Sequence, residues 1–264
     1  MSILLSEARR QQIAELRHEP TAKWVRALVG ETVVVDSTRP VLVWEPRRFV
    51  PQYAVPVEDL HADLVPVRAE GSDGHVLLHP GIPFSRHSAP GEAFTLRTPG
   101  RDLESAAFRP ADPDLDGLVV VEFAAFDTWY EEDEVIRGHP RDPYHRVDVR
   151  RSSRHVRIEL DGQVLADTHR PSLVFETNLP TRYYLPREDV EVDLQPSTTT
   201  TICAYKGEAS YWSVAGHPDI VWGYEDPLPD AAELAGLVAF YDEKVQVTVD
   251  GVGAGFASVP VPSA

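Results

Sequence analysis

The chain repeats itself. Val25-Arg26 recurs as Val156-Arg157, Asp36 with Arg39-Pro40 recurs as Asp167 with Arg170-Pro171, and Leu42-Val43-Trp44-Glu45 recurs as Leu173-Val174-Phe175-Glu176. These pairs share one offset, 131 residues (167 − 36). After a one-residue gap the offset is 130 (183 − 53). It then carries Tyr53, Pro56, Glu58-Asp59 and Asp63-Leu64 onto Tyr183, Pro186, Glu188-Asp189 and Asp193-Leu194. About fifteen of roughly forty aligned positions are identical, several-fold above chance, which identifies a duplication. A chain of 264 residues made this way is expected to build two cores rather than one.

The remaining matches are looser. Gly91-Glu92-Ala93 resembles Gly207-Glu208-Ala209, which places Tyr205-Lys206 at Ala89-Pro90 and Tyr211-Trp212 at Thr95-Leu96. Asp112-Pro113 resembles Asp226-Pro227, and Phe126-Asp127 resembles Tyr241-Asp242. The first copy then holds an insertion within residues 68–90, rich in Gly, Ser, Pro and His, which reads as a surface loop.

Within each copy the pattern is β. Val156-Arg157-Ile158-Glu159-Leu160 alternates apolar and polar, and Asp161-Gly162 turns it into Gln163 to Ala166. Further strands are expected at 172–176, 183–185, 190–194, 198–205, 210–214, 237–241 and 245–249. Asp230 and Glu233 have capping-box spacing ahead of Gly236, so a short helix is expected there. The expected organisation is an N-terminal helical arm (1–22), a first diverged repeat (23–130), a connector (131–154), a second repeat (155–252) and a flexible tail (253–264).

Composition narrows the partners. The net charge of −17 disfavours phosphate backbones and anionic lipid, so neither nucleic acid nor a membrane is expected. No apolar run approaches the length of a membrane span, and the N-terminus lacks a signal-peptide pattern, so the expected location is cytoplasmic. One cysteine, Cys203, makes neither an internal disulfide nor a thiolate zinc site. The basic stretch Arg141 to Arg154 is expected to neutralise Glu131 to Glu134 and to pack the two copies together.

Three segments carry a family resemblance: Arg170 to Glu176 with Pro180 to Asp189, Thr200 to Trp212, and Tyr224 to Pro229 with Val238 to Tyr241. The second copy resembles the uncharacterised family called domain of unknown function 427, and the whole chain resembles its tandem form. The resemblance implies a mainly β fold of two tandem β-tent-like domains, with antiparallel sheets meeting at an angle. It also brings a nucleotidyltransferase label. A cysteine-bound zinc, frequent in related tent folds, is not expected with a single cysteine.

Candidate site residues concentrate in the second copy: Glu176, Arg182, Tyr184, Cys203, Tyr205, Lys206, Tyr211, Trp212, Tyr224 and Asp226. Aromatic rings on strands beside a Lys, an Arg and carboxylates suit a pocket that stacks a planar ligand. The same rings equally suit β-sheet packing. Cys203 as a nucleophile would need Lys206 or His217 as its base. Nucleotidyl transfer needs paired carboxylates for Mg²⁺. Glu191 and Asp193 are on one face of an expected strand, but the first copy has His61 in place of Glu191, and no glycine-rich phosphate loop is present. Asp112, Asp114 and Asp116 imitate a calcium loop but read as an acidic turn, and His75, His79 and His87 read as a solvated loop. The expected function is a binding or catalytic small-molecule pocket in the second copy, with no metal or other cofactor. The alternative is a non-catalytic peptide-binding module using the groove between the copies. The sequence leaves the oligomeric state open.

Overall fold

A computed structural model describes residues 2–68, 70–71, 77–79, 81–214 and 216–254. It is mainly β and divides into two compact units, residues 1–142 and 143–263. In the first unit a seven-stranded antiparallel sheet runs, edge to edge, Arg17–Pro20, Val41–Trp44, Gln52–Pro56, Leu118–Val121, Asp102–Pro110, Gly91–Arg97 and Asp63–Val67. A four-stranded sheet runs Glu134–Ile136, Thr128–Glu131, Val25–Val29 and Thr32–Ser37.

The second unit has the same order. Its large sheet runs Val147–Arg151, Ser172–Glu176, Arg182–Pro186, Leu237–Phe240, His217–Tyr224, Gly207–Val214 and Gln195–Cys203. Its small sheet runs Val252–Gly253, Gln246–Val249, Val156–Leu160 and Gln163–Thr168.

In each unit the small sheet covers one face of the large one. Val156, Ile158, Leu165, Val247 and Val249 of the small sheet meet Leu185, Trp212, Val221, Val238 and Phe240 of the large sheet in one core. Val25, Ala27, Val34, Val35 and Trp129 meet Tyr53, Val55, Leu96, Val119 and Val121 in the other. The outer face of each large sheet carries its own apolar cluster. Because both faces are covered, central strands such as Gln52–Pro56 are buried at every residue.

The residues most alike between the units do the same local work. Arg39 reaches Glu58 at 3.1 Å and Asp59 at 3.3 Å, while Arg170 reaches Asp189 at 2.6 Å and Glu188 at 3.3 Å. Ser37 and Thr168 donate their hydroxyls to Asp59 and Asp189. Each set ties the end of a small-sheet strand to the 3₁₀ turn after a central strand. The turn Asp161-Gly162 has φ of 51° and 80°, the left-handed pair that a two-residue hairpin needs.

Several elements differ from expectation. The helix of the N-terminal arm spans only Leu5–Gln12, and Arg17–Pro20 is an edge strand paired with Val41–Trp44. Residues 190–194 form no strand. Val190, Val192 and Leu194 turn inward as alternation requires, but only Val190 bridges a neighbour, Ala166. Alternation there reports burial, not pairing. The helix at Pro229–Leu234 is 3₁₀ with Leu228 as its N-cap, so Asp230 is inside the first turn rather than capping it.

The connector supplies a strand to each unit, Glu134–Ile136 and Val147–Arg151. Some of its charges pair within their own unit. Arg146 and Arg150 reach Asp148, and Arg154 reaches Asp250. Glu131 pairs instead with Lys23, and Asp133 with Arg26. In the inserted segment His79 is exposed, as a solvated loop requires, but Leu78, Phe84 and His87 are buried, so that reading fails at His87. His75 and the tail beyond residue 254 lie outside the described residues.

Candidate functional site

The centre of the candidate set is a buried carboxylate. Glu176 ends the Ser172–Glu176 strand, and its Oε2 accepts a hydrogen bond from Lys206 Nζ at 2.5 Å. His145 Nε2 lies 3.0 Å from Oε1, and the His145 ring stacks on Tyr205 with centroids 4.1 Å apart. Burial alone would raise the Glu176 carboxyl. The His145 hydrogen bond and the Lys206 ammonium outweigh burial and hold it below its ordinary value.

Around this pair the outer face of the sheet is tyrosine-rich. Tyr184, Tyr211, Trp222 and Tyr224 are buried together, with Cys203 and Tyr241 half-buried beside them. Trp222 Nε1–H donates to Tyr184 Oη at 3.0 Å. Tyr211 Oη lies 3.0 Å from Thr201 Oγ1 and 3.3 Å from Tyr241 Oη. Burial pushes the Tyr184, Tyr224 and Tyr241 hydroxyls upward, so all three stay protonated near neutrality. Arg182 crosses the Trp222 ring at 5.6 Å and holds Glu243 at 2.5 Å and Asp242 at 3.4 Å. Burial raises the Asp242 carboxyl to about 6 despite Arg182.

Eight of the ten candidates therefore share one face, and two stand apart. Trp212 points into the core between the sheets, under Arg187 at 4.1 Å. The Asp226 side chain is exposed; its carbonyl lies close to Gly207, whose φ of +100° requires glycine at the turn after Lys206. His145, Trp222, Tyr241 and Asp242 were missed as site residues. His145 sits in the connector, outside the family-like segments, while Tyr241 closes one of them.

Strand register gives the counterparts in the first unit. Tyr184 pairs with Ala239 as Ala54 pairs with Val120, and Trp222 then corresponds to Phe108. Tyr211 pairs with Trp222 as Ala93 pairs with Phe108. The register thus matches Tyr211-Trp212 to Ala93-Phe94, two residues from the Thr95-Leu96 expected. Tyr224 corresponds to Pro110 and Tyr241 to Glu122, not to Phe126. The space left by Ala54 and Ala93 is filled by the inserted segment: Phe84 and His87 pack there, His87 stacking on Phe108 at 3.7 Å. Glu45 repeats the buried carboxylate, held by His87 at 3.1 Å, Arg48 at 3.3 Å and the Ser88 N–H at 2.9 Å.

The second unit also contains a cavity of about 460 Å³ at one end of its two sheets. Leu160, Leu165, Val192 and Val214 form its apolar lining; Asp161, Gln163, Glu191, Asp193, Gln195 and His217 form its polar lining. None of the ten candidates lines it. Among the described residues, no group of three or more His, Cys, Asp or Glu side chains is placed to hold a metal ion.

Residues 148–251 match the family model NTP_transf_9, described as Domain of unknown function (DUF427). This segment is a DUF427 domain. It covers the second unit's two sheets apart from Val147 and the Val252–Gly253 strand, and it includes the strands of the tyrosine-rich face and the cavity lining. No curated protein matches the chain. Among the described residues, no helix is long and apolar enough to cross a membrane.

Proposed function

We propose that the DUF427 domain binds a small organic molecule in the cavity beside Leu165 and Val214, in a chain that arose by tandem duplication. The observation that carries this reading is the cavity itself. Its volume suits a small ligand, four aliphatic side chains line it, and polar groups rim it. The shared strand order and the equivalent Arg39 and Arg170 clamps support the duplication.

In this reading the tyrosine-rich face is packing. Tyr184 and Tyr211 occupy the volume that Phe84 and His87 fill in the first unit, and their hydroxyls are hydrogen-bonded. The Glu176 cluster is a fold device, because Glu45 is buried with an imidazole and a cation in the same way. A nucleoside triphosphate fits the cavity poorly. Its polar lining contains no Lys or Arg, and Asp161, Glu191 and Asp193 would repel phosphates.

The test is a ligand-induced thermal-shift screen of the full chain with small organic molecules and Mg-ATP, run in parallel on Val192→Trp, which fills the cavity. Binders should stabilise the wild type and not the variant, and Mg-ATP should stabilise neither. Binding that persists in Val192→Trp but vanishes in Tyr211→Phe/Tyr241→Phe would move the site to the tyrosine-rich face.

A further inference from the structure

The two units cover the same pair of aromatic rings to different depths. In the first unit Trp44 and Tyr53 are buried, at 4% and 1% exposure. Trp129 of the small sheet stacks on Tyr53 at 5.6 Å, and Ile136 of the edge strand beside it packs against the same cluster. Strand register gives the counterparts in the second unit. Leu173 pairs with Tyr183 as Leu42 pairs with Tyr53, so Phe175 stands for Trp44 and Tyr183 for Tyr53. Val249 pairs with Val156 as Glu131 pairs with Val25, so Val247 stands for Trp129. Ala254 donates its N–H to the Val247 carbonyl and takes the place of Ile136, the residue opposite Trp129. Two large side chains have become small ones. Phe175 is 45% exposed and Tyr183 only half-buried.

An aromatic ring left open at the margin of a core gains free energy from any apolar segment that can reach it. The chain supplies one. Ala254 packs against the inter-sheet core, and in an extended chain side chains two residues apart share a face. The residue two beyond Ala254 is Phe256, where the first unit, two beyond Ile136, has Gly138. Residues 255–264, which lie beyond the described ones, read Gly-Phe-Ala-Ser-Val-Pro-Val-Pro-Ser-Ala and contain no charged side chain. Beside Phe175 the sheet presents Asp148, already held by Arg146 and Arg150. An apolar segment without charged side chains adds no repulsion there, in a chain whose net charge is −17.

We propose that the exposed face at Phe175 and Tyr183 is a docking surface for the chain's own C-terminal segment. Phe256 packs on the two rings and supplies the cover that Trp129 and Ile136 give in the first unit. The surface is separate from the cavity, whose lining includes neither ring, so the two readings stand or fall independently.

The experiment measures backbone NMR order parameters of the full chain, in the wild type, in Phe175→Ser and in Phe256→Ser. Residues 255–258 should give about 0.8 in the wild type, near the value of a rigid backbone, and fall below about 0.6 in both variants. Phe256→Ser should also shift the ring resonances of Phe175 and Tyr183. It changes no residue of the described strands, so it keeps the comparison valid if Phe175→Ser lowers the melting temperature. Order parameters below about 0.6 in the wild type overturn the proposal. A segment that stays equally ordered in Phe175→Ser, with the fold intact, overturns Phe175 as its seat. The wild-type values must hold on tenfold dilution. Loss of order on dilution would make the occupant a second copy's segment and overturn docking within one chain.

Discussion

Without its Lys206 ammonium, Glu176 would sit buried against His145 alone. Breaking a buried ion pair from one side costs more than removing both partners. Lys206→Met should therefore destabilise the DUF427 domain by about 3 kcal/mol, and Glu176→Gln/Lys206→Met by distinctly less, as read by urea denaturation. Equal losses would mean that Lys206 contributes only packing. Asp242 carries the opposite linkage. Its carboxyl titrates at about 6 in the folded chain, above the ordinary 3.8, so the folded state binds the extra proton. The stability from that proton is fully present below about pH 4 and is lost as pH rises through 6. Asp242→Asn should leave the melting temperature nearly unchanged at pH 4 and raise it at pH 8, by an equivalent of up to about 3 kcal/mol. A variant equally shifted at both pH values would remove Asp242 as the titrating group. Glu176 and Glu45 run the other way. Both carboxyls are held below their ordinary value, so their stabilisation is present near neutrality and lost on acidification.

At the level of strands, legibility followed hydrogen bonding. Ser172–Glu176 and Val156–Leu160 match their expected limits because alternation and ladder pairing coincide there. Residues 190–194 alternate equally well, yet form no strand, because side-chain burial can be met by a bend that no neighbouring strand pairs. The looser alignment slipped by two residues at Tyr211-Trp212. A two-residue slip keeps every side chain on its face, so polarity gives no warning of it. Trp212 thereby passed for a site residue, although its partner by register, Phe94, is equally a core ring. The cavity was not legible at all, since Asp161, Glu191 and His217 are far apart in sequence and only folding joins them. Gly223 tests the ladder directly. A Cβ there would sit 2.5 Å from the Leu237 carbonyl oxygen on the neighbouring strand. Gly223→Ala must push the two central strands apart, and should lower stability by about 2 kcal/mol or more, read by thermal and urea melts. Gly251→Ala, in an open turn at φ +77°, meets no atom within 4 Å and should cost only the smaller backbone strain.

For the molecule as a whole, the unit of folding is the half, and both halves have the same strand order. Each half holds its own inter-sheet core and its own outer-face cluster, and each strand pairing described stays within one half. The two halves nevertheless complete their outer faces by different means. The first borrows Phe84 and His87 from an inserted segment, while the second grew its own tyrosines at Tyr184, Tyr211 and Tyr224. Because those tyrosines come from its own strands, the second half needs nothing from the insertion to fill its outer face. Residues 143–263 expressed alone should then give the β-type circular dichroism of a folded domain and a single cooperative melt. Starting the fragment at 155, the expected start of the second repeat, removes the Val147–Arg151 edge strand and His145 together. That shorter fragment should lose the ladder on Ser172–Glu176 and the hydrogen bond on the Glu176 carboxylate, and should melt lower or not fold. If the two fragments behave alike, the domain is complete without the segment read as connector, and the pairing of Val147–Arg151 contributes nothing to its stability.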